Sequence, residues 1–265
     1  MNSHLIKYVN GLVGQYYQTE GNNKLAIYLW WAPSLPASMD SEANLLTKKW
    51  FDLVRPDYYG YGRSDGFFSP KNCIQTAYDT LQVFRDQWTI LSVYEDEELA
   101  TVRYDEIVII GLSFGGWIAS ILPKFDEHIK EVILLYPWFG YDDMNQLWYP
   151  EESDEDFLRV LLVWYKHLYR FADGTDPYEA MLEIDEFNST IDPSHLKDVK
   201  VFVWHGNADV SVRSWRSQKF TDQLLAMNPA GEYKYVEYYG LWHGWTCKEA
   251  VLQGRIHRRK KFNQI

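Results

Sequence analysis

The stretch EIVIIGLSFGGWIASILPKF, Glu106 to Phe125, constrains the fold more than any other part of the chain. A run of β-branched residues ends at Gly111, Ser113 follows, and Gly115-Gly116 close the turn before an amphipathic helix is expected to begin. A short continuous apolar run bounded by glycine reads as a strand buried on both faces. The joint to the helix is short, so the backbone has to bend sharply at the serine. Parallel strands need crossover connections, usually helical, so this segment points to an α/β architecture.

The remaining sequence supplies the neighbours. "LIKYV" and "GQYYQT" read as two strands joined through Gly11, and the turn Gly21 to Asn23 leads into "KLAIYLWW", a third and more buried strand. A helix is expected from Ser41, then a short strand in "FDLVRPDYYG" ending near Asp57. Ser69 as N-cap and Pro70 at the first helical position open another helix. "EDEEL", Glu95 to Leu99, reads as a solvated acidic loop or helix start. After the Ser113 helix come the strand "KEVILLYPW", the strand "VKVFVWHG", the helix "WRSQKFTDQLLAM", the strand "EYKYVEYYG" and a closing helix "KEAVLQGRIHRRKKF". Buried strands alternating with helices give a mostly parallel central sheet covered on both faces.

One segment breaks the alternation. Between Gly140 and Pro193 no strand is evident, only the acidic "PEESDEDF" and a helix "DFLRVLLVWYKHLYRF". That helix is apolar almost all round, so it is expected to be buried on more than one side. It reads either as a small cap over the sheet, at about 140–193 after the sixth expected strand, or as an ordinary core helix.

Composition narrows the function. The 265 residues suit one large domain or two small ones, and 46% hydrophobic against 24% charged residues can bury a core. A net charge of −11 works against nucleic-acid or anionic membrane partners, and the basic run His257 to Lys261 reads as the solvated end of the last helix. Cys73 and Cys247 with no CxxC read as free thiols in a reducing compartment. The chain shows neither an apolar leader nor a membrane-length run, so a soluble cytoplasmic protein is expected. No HExxH or Cys/His spacing suggests a metal, "SFGG" is not a dinucleotide fingerprint, and no cofactor is expected. Nothing in the sequence specifies the oligomeric state.

The chemistry lies in three strand ends. Gly111-Leu112-Ser113-Phe114-Gly115 fits G-x-S-x-G with a strand before it and a helix after it. A serine on such a bend exposes its hydroxyl above the sheet, beside the N–H groups of the helix N-terminus, where developing negative charge is stabilised. A hydroxyl is a poor nucleophile at neutral pH, so it needs a base, and the base needs a carboxylate to orient it. "VFVWHGNADVSV" puts Asp209 just past one strand, and "VEYYGLWHGW" puts His243 just past another. All three fall at the edge where open α/β sheets bind ligands.

In motif and in the chain order Ser, Asp, His the sequence resembles the α/β-hydrolase superfamily, from "LAIYLWW" to "LWHGW". "PDYYGYGRSDG" is similar to the family's D-x-x-G-x-G-x-S turn after the fourth strand, with Asp57, Gly60, Gly62 and Ser64 on the pattern. The resemblance implies an α/β-hydrolase fold with Ser113 as nucleophile, His243 as general base and acid, and Asp209 orienting His243. Asp142 and Asp143 are a second source for the triad acid, and Asp209 is preferred for its HGxxD setting. His205 reads as a hydrogen-bonded structural histidine rather than a second base. The third strand departs from the family, with Trp30-Trp31 where His-Gly is expected, so the oxyanion donors fall to the backbone N–H of Phe114 with that of Ala32 or Trp31. The implied reaction is hydrolysis of a small-molecule acyl substrate, most simply a carboxylic ester. A peptide, amide or thioester would use the same residues, and a non-catalytic binding protein could keep the same fold.

Overall fold

The structure, a computed structural model, describes residues 1–31, 40–47, 51–99, 103–139, 166–182 and 192–244. Ten strands form one sheet: β1 (Asn2–Lys7), β2 (Val13–Gln18), β3 (Lys24–Leu29), β4 (Phe51–Pro56), β5 (Ile90–Ser92), β6 (Glu97–Leu99), β7 (Glu106–Leu112), β8 (Glu131–Leu135), β9 (Lys200–Gly206) and β10 (Tyr233–Tyr238). Their spatial order is β10-β9-β8-β7-β3-β4-β2-β1-β5-β6. From β4 to β10 every neighbouring pair is parallel, and from β4 through β2, β1, β5 and β6 every pair is antiparallel. The helices are α1 (Asp40–Thr47), α2 (Pro70–Arg85), α3 (Phe114–Ile121), α4 (Pro177–Leu182) and α5 (Ser214–Met227).

The central parallel strands β3, β7, β8 and β9 are apolar at nearly every position because both faces are covered, and the side-chain period of two divides them cleanly. On β8, Val132 and Leu134 join one core with Phe84 of α2, Trp117 of α3 and Phe220 of α5. Ile133 and Leu135 face the other way, into a second core with Ala43 and Leu46 of α1. Each fully buried Val, Leu or Ile contributes about 1.5–3 kcal/mol of transfer free energy.

Topology places the rim that matters. Strand β3 is bordered by β4, which follows it in the chain, on one side, and by β7 on the other. The strand order therefore reverses at β3, and such a switch point leaves a crevice beyond the carboxyl ends of the strands. In register, Leu29 lies beside Gly111, Leu112 beside Leu135, Leu135 beside Trp204, and Gly206 beside Tyr238. The residues after these positions all emerge at one edge.

Two expectations are corrected. Glu97–Leu99 is a strand, β6, and neither a loop nor a helix start: it pairs antiparallel with β5 across a turn in which Asp96 has φ 53°. Residues 166–171 are not helical. Tyr169 forms a bridge with Tyr61, Gly62 N–H donates to the Leu168 carbonyl, and Arg170 N–H donates to that of Gly60, pinning this segment to the turn after β4. The rest of that expected helix, most of the proposed cap, the closing helix with His257 to Lys261, and Cys247 lie outside the described residues. Among those described, no helix is long and apolar enough to cross a membrane.

Candidate active site

Strand β7 delivers Ser113 into a backbone conformation that L-residues rarely adopt, φ 49° and ψ −117°. Such a conformation costs about 1–3 kcal/mol and persists only where the surroundings over-determine it. Here they do. The Ser113 N–H donates to the Leu135 carbonyl at 3.0 Å, and its carbonyl accepts from Gly116 at 2.8 Å and Trp138 at 3.0 Å. The flanking glycines permit the packing: a Cβ on Gly111 would fall 2.2 Å from the Gly115 carbonyl oxygen, and one on Gly115 would fall 2.2 Å from that of Leu29. Ser113 occupies the N-cap position of α3, yet its side chain makes no capping bond, and the residue is partly exposed. Phe114, the first residue of α3, carries one of the N–H groups that the helix's own ladder cannot satisfy.

Asp209 is buried in the turn after β9, and its carboxylate meets four donors. Oδ1 accepts from the Ser211 and Val212 N–H groups, both at 2.9 Å, and Oδ2 accepts from His243 Nδ1 at 2.6 Å and His205 Nε2 at 3.1 Å. Burial alone would raise its pKa, but the hydrogen bonds from His205 and His243 outweigh burial and hold the carboxyl well below the usual range. It is therefore ionised at neutral pH. His243 Nδ1 must carry a proton to bond it, so in the neutral ring Nε2 carries the lone pair.

Backbone contacts bring these two residues together from different strands. Asn207 N–H donates to the Tyr238 carbonyl, Ala208 N–H to that of Leu241, and Gly240 N–H to the Asn207 side chain. These bonds stitch the loop after β10 onto the loop after β9. The imidazole of His243 then packs edge-on against Tyr136, with ring centroids 4.6 Å apart, and near-parallel to Trp31 at 6.3 Å. Tyr136 directly follows Leu135, whose carbonyl holds the Ser113 N–H, so Ser113 and His243 flank the same short segment. Asp209 and His243 are joined by a hydrogen bond. His243 and Ser113 are brought to the same rim, and no hydrogen bond links them among the described residues.

Trp30 and Trp31, at the end of β3, form the remaining wall. The Trp30 carbonyl accepts a hydrogen bond from the buried Tyr58 hydroxyl at 2.7 Å, and Trp30 and Trp31 meet edge to face. Ala32, Asp142 and Asp143 lie outside the described residues.

The D-x-x-G-x-G-x-S turn holds itself together. Buried Asp57 takes two bonds from the Arg63 guanidinium, at 2.7 and 3.1 Å, and the Ser64 hydroxyl donates to the Asp57 carbonyl at 2.7 Å. His195 is spent on the Ser120 carbonyl at 2.9 Å. Among the described residues no group of His, Cys, Asp and Glu is arranged to hold a metal ion. Tyr136 and Trp31 as neighbours of His243, and Ser217 as a partner of His205 at 2.7 Å, carry no sequence motif. For His205 the i, i+4 spacing to Asp209 was a visible signal.

A doubly wound sheet with these strand ends at its switch point defines an α/β protein of the hydrolase type. The profile described as the alpha/beta hydrolase fold matches residues 28–239, and the chain belongs to that family. Family membership supports a hydrolase. No curated protein sequence gives a significant match. Among solved structures, the chain is similar to Est1E from Butyrivibrio proteoclasticus with ferulic acid bound, at 17% identity, TM-score 0.61, and coverage of 97% of this chain and 100% of that one. It is similar to the esterase Pf2001 of Pyrococcus furiosus at 16% identity and TM-score 0.61, covering 96% and 89%. Alpha/beta hydrolase domain-containing protein 10 from mouse shares 16% identity at TM-score 0.62, with 97% of each chain covered. At these identities the likeness is one of fold.

Proposed function

We propose that the protein is a serine hydrolase that cleaves carboxylic esters through an acyl-enzyme on Ser113. The observation that carries this reading is the 2.6 Å bond from His243 to a buried, ionised Asp209, beside a serine held at positive φ with its hydroxyl unused by the fold. In the first half-reaction Ser113 Oγ attacks the ester carbonyl carbon as its proton passes to His243 Nε2. The tetrahedral intermediate collapses, the C–O bond breaks, and the alkoxide leaves with that proton. Water then attacks the acyl-serine, again losing a proton to His243, and the acid departs as the proton returns to Ser113. Asp209 stabilises the imidazolium formed in each half. Serine–histidine bonds commonly tighten only when substrate binds, so the lack of one here does not oppose the assignment. The Phe114 N–H and one from the end of β3 serve as oxyanion donors.

Small-to-medium or aromatic acyl groups suit this rim. Trp31 lies beside His243, and Trp242, the residue before it, is 66% exposed, so two indoles offer stacking surface next to the base. The ferulic acid held by Est1E is an aromatic acid in a protein of the same fold.

A fluorophosphonate probe tests the nucleophile. The wild type is expected to be labelled at Ser113 and the Ser113→Ala variant not at all. A correctly folded wild type that takes no label would favour a non-catalytic binding protein. A series of nitrophenyl esters then reads the acyl group, and preference for long alkyl chains over short or aromatic ones would overturn the proposed specificity.

A further inference from the structure

His205 has no exposed surface, lies at the end of β9, and takes no part in the chemistry proposed above. Its contacts nevertheless place a proton on one ring nitrogen. Nε2 is 2.8 Å from the Val212 carbonyl oxygen, which can only accept, so Nε2 carries a proton. The same N–H reaches Asp209 Oδ2 at 3.1 Å. In the neutral ring Nδ1 is then a bare lone pair, and the Ser217 hydroxyl, 2.7 Å away and equally buried, donates to it. Ser217 belongs to α5, which Phe220 and Leu224 anchor in the core. A chain of donors thus runs from the helix into the site: Ser217 to His205, His205 to Asp209, with His243 bonded to the same Asp209 oxygen.

This chain resolves a geometric problem for Asp209. The Ser211 and Val212 N–H groups hold Oδ1. Without His205, Oδ2 would have His243 as its one partner, and a buried carboxylate lone pair would be left unmet. The carboxylate could then rotate about its own axis, taking the His243 contact with it. With His205 in place both oxygens are tethered before His243 arrives.

We propose that His205, held with Nε2 protonated by the Val212 carbonyl and seated by Ser217, is a positioning residue that aims Oδ2 of Asp209 at His243. The proposal rests on the acyl-enzyme reading above and adds to it a residue that never meets substrate. Nothing is transferred along the chain: the proton stays on His205 Nε2.

The test compares His205→Phe, His205→Gln and Ser217→Ala with the wild type, taking kcat and KM per Ser113 titrated by the phosphonate. Phenylalanine fills the ring's space without its N–H, whereas the glutamine amide offers a donor near the Nε2 position. His205→Phe is expected to lose about 10- to 100-fold in kcat with KM nearly unchanged, the range that follows from losing a hydrogen bond to a charged group. His205→Gln should recover most of that loss, and Ser217→Ala, which leaves the buried Nδ1 without its partner and the ring less firmly seated, should fall between. Nitrogen NMR of the wild type is expected to find His205 protonated on Nε2, and this holds even if a variant fails to fold. Unchanged turnover per titrated site in His205→Phe, a glutamine variant no better than phenylalanine, or a wild-type ring protonated on Nδ1 would each overturn the positioning role. If the folded wild type takes no phosphonate at all, the acyl-enzyme reading falls and the positioning role with it. If it is labelled and His205→Phe turns over normally, only the positioning role falls.

Discussion

Two serines stand at the N-caps of two helices, and the molecule treats them in opposite ways. Ser69, ahead of α2, is extended at φ −155° and ψ 161°, and its hydroxyl accepts the Asn72 N–H at 3.2 Å, the ordinary service of a capping serine. Ser113, ahead of α3, sits at φ 49°, caps nothing, and leaves its hydroxyl at the rim. The first lowers the free energy of the fold. The second raises it, and glycine packing together with a bond to the Leu135 carbonyl and one from the Trp138 N–H hold it there. A side chain kept from the hydrogen bond its position offers is available for something else, and the proposed function supplies that use.

The largest test of this contrast is activity. Ser113→Ala should abolish ester turnover, by about 10⁶-fold if the three residues act as a unit. Ser69→Ala should leave kcat and KM within experimental error, because Ser69 serves the helix alone. Measurable loss in both variants, measured on folded protein, would end the distinction.

Asp209→Asn comes next, with an expected loss of about 10⁴-fold in kcat, since an amide no longer favours the proton on His243 Nδ1. The same variant reads stability against pH. The folded pKa of Asp209 lies below the roughly 3.9 of an unfolded aspartate, so its stabilising contribution is complete above that value and is lost as pH falls through the folded value. Denaturant melts below about pH 4 should therefore show the wild type losing stability more steeply than Asp209→Asn. Parallel slopes would mean that the carboxylate is not held ionised by its four donors.

What could be read in advance follows the same division between service to the fold and service to the site. The alternation of Val132 and Leu134 against Ile133 and Leu135 is invisible as a pattern because both faces are buried, yet the unbroken apolar run is itself the mark of a central parallel strand. The placement of Ser113, Asp209 and His243 just past strand ends was legible because each falls in a short motif. The β5–β6 hairpin was not: its strands are three residues long, and Glu97 and Glu98 carry the charge that keeps an edge from pairing further, which in sequence looks like a solvated loop. Residues 166–171 read as the end of a helix, but the bridge from Tyr169 to Tyr61 and the bonds to the turn after β4 override that reading. The tether from Ser217 to His205 spans twelve residues and two elements, and the stacking of Trp31 on His243 joins opposite ends of the chain. Contacts of that reach are set by the order of strands in the sheet, which no local pattern records.

The smallest effects ask whether the two caps differ in sign. Ser69→Ala should cost about 1 kcal/mol through the lost bond to Asn72, a fall of a few degrees in Tm for a chain of this size. Ser113→Gly should do the reverse. Glycine relieves about 1–3 kcal/mol of backbone strain at positive φ and gives back about 0.5–1 kcal/mol through the greater freedom of the unfolded chain. The net gain, between about zero and about 2.5 kcal/mol, should appear as a higher Tm in a protein that no longer turns over ester. A Ser113→Gly variant that melts below the wild type, as Ser69→Ala should, would mean that the Ser113 side chain contributes to folding after all and that the opposition between the two serines is false.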